Sequence, residues 1–294
     1  MTLRHFKIFA AVCDTMNMTA AAEKLYMSQS AVSQAIAELE KYYDVRLFER
    51  LSRKLYLTQA GKRLLSYARP IIRMNAEAKT SMQTLLENSS IRLGASVTVS
   101  AYVLPKQVAA FGKISPQTDI TVIEDNTQKI ENLILQDQID IGLVEGDISS
   151  PDIVIRPFLE DELVLICAAN HRFAQYTEIE PKELEHEKFI IREKGSGTRK
   201  TFEDVMTANG LAWRESWTCN NADTIKIAVA EGLGVSVISR RAVVNEVASE
   251  MLCQKSVRGI RFRRQFKIVY HKNKFLTEPM KQFIDLCVTR AGVI

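Results

Sequence analysis

At 294 residues the chain has room for about two domains, and 46% hydrophobic with 25% charged residues excludes a disordered or fibrous protein. Its longest unbroken apolar run, Leu163 to Ala169, is seven residues, far short of the roughly 20 that span a bilayer. The net charge of +4 is uneven: residues 1–90 carry 13 Lys/Arg against 8 Asp/Glu, leaving 26 against 27 for the rest.

Nine of the basic residues fall between Lys41 and Arg73, opposed only by Asp44 and Glu49. A basic N-terminal third on a near-neutral body suits a polyanion-binding head, although charge alone equally fits a solvated helix face. Leu3, Phe6, Ile8, Phe9, Val12 and Cys13 recur at helical spacing and predict a first helix ending near Asn17. Thr19 stands where an N-cap belongs, before the good helix formers Ala20 to Leu25, and Ser28 is a second cap. Behind Ser28, Ala31, Val32, Ala35, Ile36 and Leu39 make one apolar stripe. Gln29, Ser30, Ser33 and Gln34 lie opposite, with side chains able to bond base edges and phosphates. Two short helices joined by a few residues, the second polar on its free face, predict a helix-turn-helix. From Arg50 to Thr58 basic or polar residues alternate with apolar ones, the pattern of a two-stranded wing tipped by Arg53 and Lys54.

At this point the chain resembles the LysR-type transcriptional regulators. The matching stretch runs from Leu3 to about Ile72 and includes Thr19–Leu25, Ser28-Gln29-Ser30-Ala31-Val32-Ser33, Leu39-Glu40, Leu47–Arg50 and Leu57-Thr58-Gln59-Ala60-Gly61. The resemblance implies that Gln29, Ser30, Ser33 and Gln34 face bases in the major groove, with Arg53 on the wing; Thr19 and Lys54 complete the expected DNA-facing set. Ser30 and Gln34 depart from the family's usual Pro and Arg. A Gln prefers adenine edges where an Arg prefers guanine, so base preference does not carry over.

Thr58 caps a segment predicted to stay helical to about Leu86. Along it Leu64, Ala68, Ile71, Asn75, Ala78, Met82 and Leu85 alternate in steps of four and three, a heptad seam that suits a second copy of the chain, or else the chain's own second domain. Pro70 interrupts the helix's hydrogen bonding.

Beyond residue 89, strands alternate with helices and predict a parallel sheet. Strands are expected at Ile91–Ala95, Asp119–Glu124, Ile139–Val144, Glu162–Ala168, Phe189–Arg192, Gly234–Ser239 and Phe266–Tyr270. The resemblance, looser here, implies a periplasmic-binding-protein-like effector domain of two lobes. The predicted fold is α/β throughout: a winged helix-turn-helix over 1–58, a linker helix over 59–88, and a two-lobed, doubly wound effector domain over 89–294. The first lobe takes 89–161 and 266–294, the second 162–265.

Ligands of such sheets sit beyond the carboxyl ends of strands, at helix N-termini. Ser96 and Thr98 fall in the first strand-to-helix loop, and Ser196, Gly197, Thr198 and Arg199 open a second-lobe helix with hydroxyls and a cation. Asn126 and Asn221 stand at two further helix starts, where plain capping is an equal reading. This set suits a small carboxylate or oxyanion. No P-loop, dinucleotide fingerprint or nucleophile elbow is present, so no enzyme is expected. Scattered His and an odd number of Cys without a Cys-x-x-Cys pair give no metal site, no cofactor and no disulfide framework; the cysteines read as buried small hydrophobes. The sequence is identified as that of a cytoplasmic, homo-oligomeric regulator of inverted-repeat DNA, switched by a small effector.

Overall fold

The computed structural model describes residues 1–51, 54–83 and 90–290, which cluster into two compact units. One holds Met1–Asn88 with two short segments, Leu135–Gln138 and His271–Leu276; the other holds the remainder.

The first unit begins with α1 (Leu3–Thr15), α2 (Met18–Lys24) and α3 (Gln29–Tyr43). The predicted cap of α2 moves two residues: Asn17, not Thr19, accepts from the backbone N–H groups of Thr19 (2.8 Å) and Ala20 (3.2 Å). An amide oxygen with extended backbone can reach both donors, which makes Asn a strong N-cap. Ser28 caps α3 as expected, accepting from Ala31 N–H at 3.2 Å. Val32, Ala35, Ile36 and Leu39 bury the inner face of α3 against Phe9, Val12, Ala21 and Ala22. The wing is a hairpin of β1 (Phe48–Leu51) and β2 (Lys54–Leu57), antiparallel, with Arg50 opposite Leu55. Then comes α4 (Gln59–Gln83).

Several motif residues acquire a structural reason here. Glu40 accepts from the backbone N–H of Leu47 (2.7 Å) and Phe48 (3.2 Å), fixing the wing to the end of α3. The Thr58 hydroxyl donates to the Arg46 carbonyl (2.7 Å) and accepts from Gly61 N–H (2.9 Å), so it does cap α4. Gly61 is where α4 meets the wing: a Cβ there would run into the Leu47 carbonyl oxygen.

The second unit starts with β3 (Ser90–Ser96), α5 (Val97–Tyr102), α6 (Leu104–Ile114), β4 (Asp119–Asp125), α7 (Thr127–Leu135) and β5 (Ile141–Val144). A 16-residue strand, β6 (Ile153–Ala168), follows, then β7 (Glu178–Ile179), β8 (Lys188–Arg192), α8 (Gly197–Ala208), β9 (Arg214–Cys219) and α9 (Ala222–Ala230). The chain closes with β10 (Ser236–Ser239), α10 (Val244–Ala248), β11 (Leu252–Val257), β12 (Phe262–His271) and α11 (Glu278–Thr289). The main sheet has the order β4-β3-β5-β12-β6-β11-β7, with β10 also on β6. It is mixed, not all parallel: β3 runs parallel to β4 and β5, whereas β12 is antiparallel to β5, and β10 and β11 to β6. The departure follows from β6 and β12, neighbours in the order that carry the chain between the two halves of the sheet. The parallel pair β8 and β9 joins β10 through bonds between Ile190 and Val235 and between Val235 and Lys188, both 2.9 Å.

The apolar run of the sequence is the two-faced part of β6. Leu163, Leu165 and Cys167 bury with Phe189, Phe202 and Met206 on one face; Val164 and Ile166 bury with Ile225, Val229 and Ile238 on the other. Cys167 lies directly opposite Cys253 of β11. Burial pushes the thiols of Cys13, Cys167 and Cys287 up to about 12. Among the described residues no helix is long and apolar enough to cross a membrane.

Candidate functional site

On the outer face of α3, Gln29, Ser30 and Gln34 are exposed and Ser33 is half-buried. The side chains are not all free. Gln34 Nε2 donates to Glu38 Oε1 at 3.0 Å, and Glu38 Oε2 lies 2.8 Å from His5 Nε2. Hydrogen bonds from His5 and Gln34 hold the Glu38 carboxyl below its ordinary range. Gln34 thus presents its amide oxygen and one N–H outward, in an orientation set from α1. Ser30 Oγ is 3.0 Å from Ser28 Oγ, in the first turn. Thr19 and Lys54 are exposed; Arg53 lies outside the described residues. Glu38 was not singled out from sequence, because a carboxylate on a polar helix face carries no signal. Tyr26, 98% exposed with a left-handed φ of 54°, likewise gave none in the turn before α3.

The heptad seam divides. Leu64 is partly buried and Ala68 fully buried, packed with Leu65 and Ile72 into the head's own core. Ala68 is thereby covered within the head and Leu64 partly so. Exposed instead are Tyr67, Ile71 and Met74, at 37%, 40% and 42%, with Asn75 and Ala78 beside them. The expected stripe is thus split, Ala68 packing into the head's core while Ile71, Asn75 and Ala78 face outward. Met82 sits in the last turn of α4 with its side chain outside the described residues, as is Leu85.

In the second unit Ser96 ends β3, and Thr98 lies within α5 rather than in a loop. Both hydroxyls are buried and already engaged: Ser96 donates to Glu145 Oε2, and Thr98 donates to Glu145 Oε1 at 3.2 Å. Glu145, at the end of β5, is itself 2% exposed. Burial, more than any neighbour, pushes its carboxyl up from its ordinary value; Arg264 and Arg192 oppose this. Thr198 at the start of α8 accepts from Arg264 Nη1 at 2.8 Å, and Arg264 Nε donates to Asp161 Oδ2 at 2.7 Å. Arg264 Nη1 stands 4.0 Å from Glu145 Oε1, and Arg264 Nη2 is buried without a hydrogen-bond partner. The structure therefore brings Ser96, Thr98 and Thr198 together around an ionic cluster of Glu145, Arg264 and Asp161.

Beside this cluster lies a hollow of about 450 Å³ at the N-termini of α7 and α8, lined among others by Thr127, Gln128, Gly146, Lys194, Gly195, Ser196 and Gly197. The hydroxyls of Thr127 and Ser196 are both buried and have no hydrogen-bond partner in the protein. Gly197 packs so closely on Gly146 that a Cβ on it would stand 2.5 Å from the Gly146 Cα and N.

Arg199 lines the hollow too, with its guanidinium already engaged. It donates to Glu203 (2.7 Å), Glu215 (2.8 Å) and the Arg192 carbonyl (3.2 Å), and its guanidinium lies over Trp213. One turn position separates it from Thr198, and that turns it away from Arg264 and toward β9. Asn126 and Asn221 are helix caps, accepting from Lys129 N–H (3.1 Å) and Thr224 N–H (2.8 Å). Thr127 stands beside Asn126 at a helix start that the sequence marks, whereas Glu145, Asp161 and Arg264 were missed. Only Glu145 had a legible signal, a carboxylate at the carboxyl end of a predicted strand.

A helix-turn-helix with a wing, joined by a long helix to an α/β unit with a polar cleft, defines a one-chain, ligand-responsive DNA-binding regulator. Residues 3–62 match the bacterial regulatory helix-turn-helix protein, lysR family, and residues 86–292 match the LysR substrate binding domain; the chain belongs to the LysR family of transcriptional regulators. It is 31% identical over 287 residues to the HTH-type transcriptional regulator YeiE of Escherichia coli, spanning 98% of this chain and 97% of that protein. The regulatory domain of CcmR from Synechocystis PCC6803, in complex with 2-PG, superimposes with a TM-score of 0.65 at 25% identity, over 70% of this chain and 98% of that one. A full-length OxyR variant from Pseudomonas aeruginosa shares the fold, with a TM-score of 0.68 at 19% identity over 99% of this chain and 94% of that one. The protein is thus a DNA-binding transcriptional regulator with an effector-binding domain, and not an enzyme.

Proposed function

We propose that this regulator works in the cytoplasm as a homodimer joined along α4, reads an inverted-repeat operator with α3, and is switched by a small carboxylate or oxyanion. The heads take residues 1–58 and the linker 59–88; the effector sits between a lobe of 89–161 plus 266–294 and a lobe of 162–265. Gln29, Ser30, Ser33 and Gln34 meet base edges, while Thr19, Arg53 and Lys54 meet phosphates, which hold register without reading sequence. Two linked heads fit two half-sites a helical turn or a multiple of it apart. A ligand held by both lobes favours their closed arrangement, and its differential affinity for the two arrangements is the switch.

The observation that carries the ligand class is the pair of buried, unpartnered hydroxyls of Thr127 and Ser196, at the starts of two helices on one hollow. Buried hydroxyls left without partners are costly, and helix N-termini favour negative charge. The same chemistry extends inward, where Ser96 and Thr98 already hold a carboxylate, that of Glu145. Thermal unfolding with sulfate, phosphate and small carboxylates tests the reading. The wild type should be stabilised by members of this panel, and Thr127→Val with Ser196→Ala should weaken that binding by about 1–3 kcal/mol per lost buried bond. An unchanged response in the double variant would place the ligand elsewhere.

A further inference from the structure

The buried cluster beside the hollow contains two carboxylates and one guanidinium. Asp161 takes the guanidinium directly: Arg264 Nε donates to it at 2.7 Å, Ser239 donates to it at 2.8 Å, and Arg241 stands 3.6 Å away. Glu145 is left with two hydroxyls and an Arg264 nitrogen at 4.0 Å. Among the described residues, the charged groups acting on Glu145 from the packed elements are Arg264 on β12, Asp161 on β6 and Arg192 on β8, and Arg192 is itself paired with Glu193. β3, α5 and α8 offer it only Ser96, Thr98 and, through Arg264, Thr198. Asp161 is thus met by two guanidiniums, whereas an ionised Glu145 stands 4.0 Å from Arg264 in a fully buried position, and low dielectric opposes such a charge.

That charge lies one residue from the hollow, since Gly146 lines it and Gly146's missing Cβ would touch both Gly197 and Thr127. Like charges this close in a poorly solvated site repel. An anion in the hollow and an ionised Glu145 behind Gly146 therefore disfavour each other.

We propose that Glu145 makes anion binding by this regulator proton-coupled: an anion seats in the hollow as Glu145 takes up one proton. The protonated acid keeps its place between Ser96 and Thr98, because a carboxylic acid donates as well as accepts. Burial moves Glu145 in the same direction, toward the protonated form and above its ordinary 4.5. The regulator then reports the anion and the acidity together. By linkage, affinity falls by up to about tenfold per pH unit between the ionisation midpoints of Glu145 in the free and the anion-bound protein, and is flat outside that range. The inference rests on the cleft reading above, and its test separates the two.

The probe is inorganic sulfate, whose charge is constant across the range, titrated by calorimetry into the full-length protein at about pH 5.5 and about pH 7.5. At the higher pH, two buffers of different ionisation enthalpy report protons directly. The wild type should bind more weakly at the higher pH, by up to about tenfold per pH unit, and take up protons on binding sulfate. Glu145→Gln, which keeps the shape without the charge, should bind equally well at both and take up none. Wild-type binding without proton uptake, or a variant that retains the full pH slope, overturns the proposal while the cleft reading stands. No sulfate binding by either protein at either pH overturns the oxyanion seat and the inference with it.

Discussion

Gly197→Ala is the sharpest test of how the cleft is closed. Its ideal Cβ would lie 2.5 Å from the Cα and N of Gly146 and 2.9 Å from the Glu145 carbonyl carbon, where ordinary contact is 3.4–4 Å. The opposing atoms are backbone, so no rotamer change relieves the clash, and α8 must move about 1 Å from the end of β5. Overpacking of this kind costs about 1–3 kcal/mol. The movement also pulls Thr198 from Arg264, whose 2.8 Å bond ties α8 to β12. At about 2–4 °C per kcal/mol for a domain of this size, the midpoint of thermal unfolding should fall by roughly 2–12 °C. Gly112→Ala is the matched control: it lies in α6 with nothing within 4 Å of its Cβ, so helix propensity should stabilise it by about 0.5–1 kcal/mol. Thermal unfolding followed by circular dichroism compares the two. If Gly197→Ala is as stable as Gly112→Ala and binds sulfate like wild type, the close Gly146–Gly197 contact does not exist in solution.

Ile71→Asp should give a folded monomer by sedimentation, whereas Ala68→Asp should unfold the head, because only Ala68 is fully buried in it; a dimeric Ile71→Asp protein would move the seam off this face. Ser33→Ala with Gln34→Ala should cost about 1–3 kcal/mol per lost base contact on specific duplexes in a gel shift and little on random DNA; equal losses on both would remove α3 as the reader. Glu145→Gln should also change stability with pH. The folded protein holds Glu145 above its ordinary 4.5, so the unfolded chain gives up this proton first, and wild type alone loses stability as pH climbs from there through the raised midpoint. The unfolding midpoint of the variant should gain on wild type as pH rises above the ordinary glutamate value of 4.5, and a gap that stays constant with pH would refute the raised midpoint.

The head was legible because its signals are local. The stripe Val32, Ala35, Ile36 and Leu39, the cap at Ser28 and the alternation after Arg50 each specify an element within a few residues. The linker's periodicity was equally visible, but the sequence could not say that the head would cover Ala68 and leave Ile71 facing outward. In the second unit, buried strands such as β5 stood out, whereas β9 did not, since only Cys219 of its six residues is buried. The first half of β6 was hidden for the same reason, with Arg156, Pro157 and Glu160 interrupting its apolar pattern. The hydroxyls at 96, 98, 196 and 198 could be named from strand ends and helix starts. Their charged partners could not: Arg264 is one of four arginines between 258 and 264, and 119 residues separate it from Glu145. Such pairings are made by the sheet order, which places β12 next to β5.

The central claim is that two copies of this chain read a two-fold symmetric DNA site through α3. Selection of binding sequences from a random duplex library by the purified full-length protein measures it most directly. The wild type should enrich an inverted repeat with half-sites a helical turn or a multiple of it apart, and the Ser33→Ala, Gln34→Ala variant should enrich none. Enrichment of a single, asymmetric half-site by wild type, or the same inverted repeat from the variant, would contradict it.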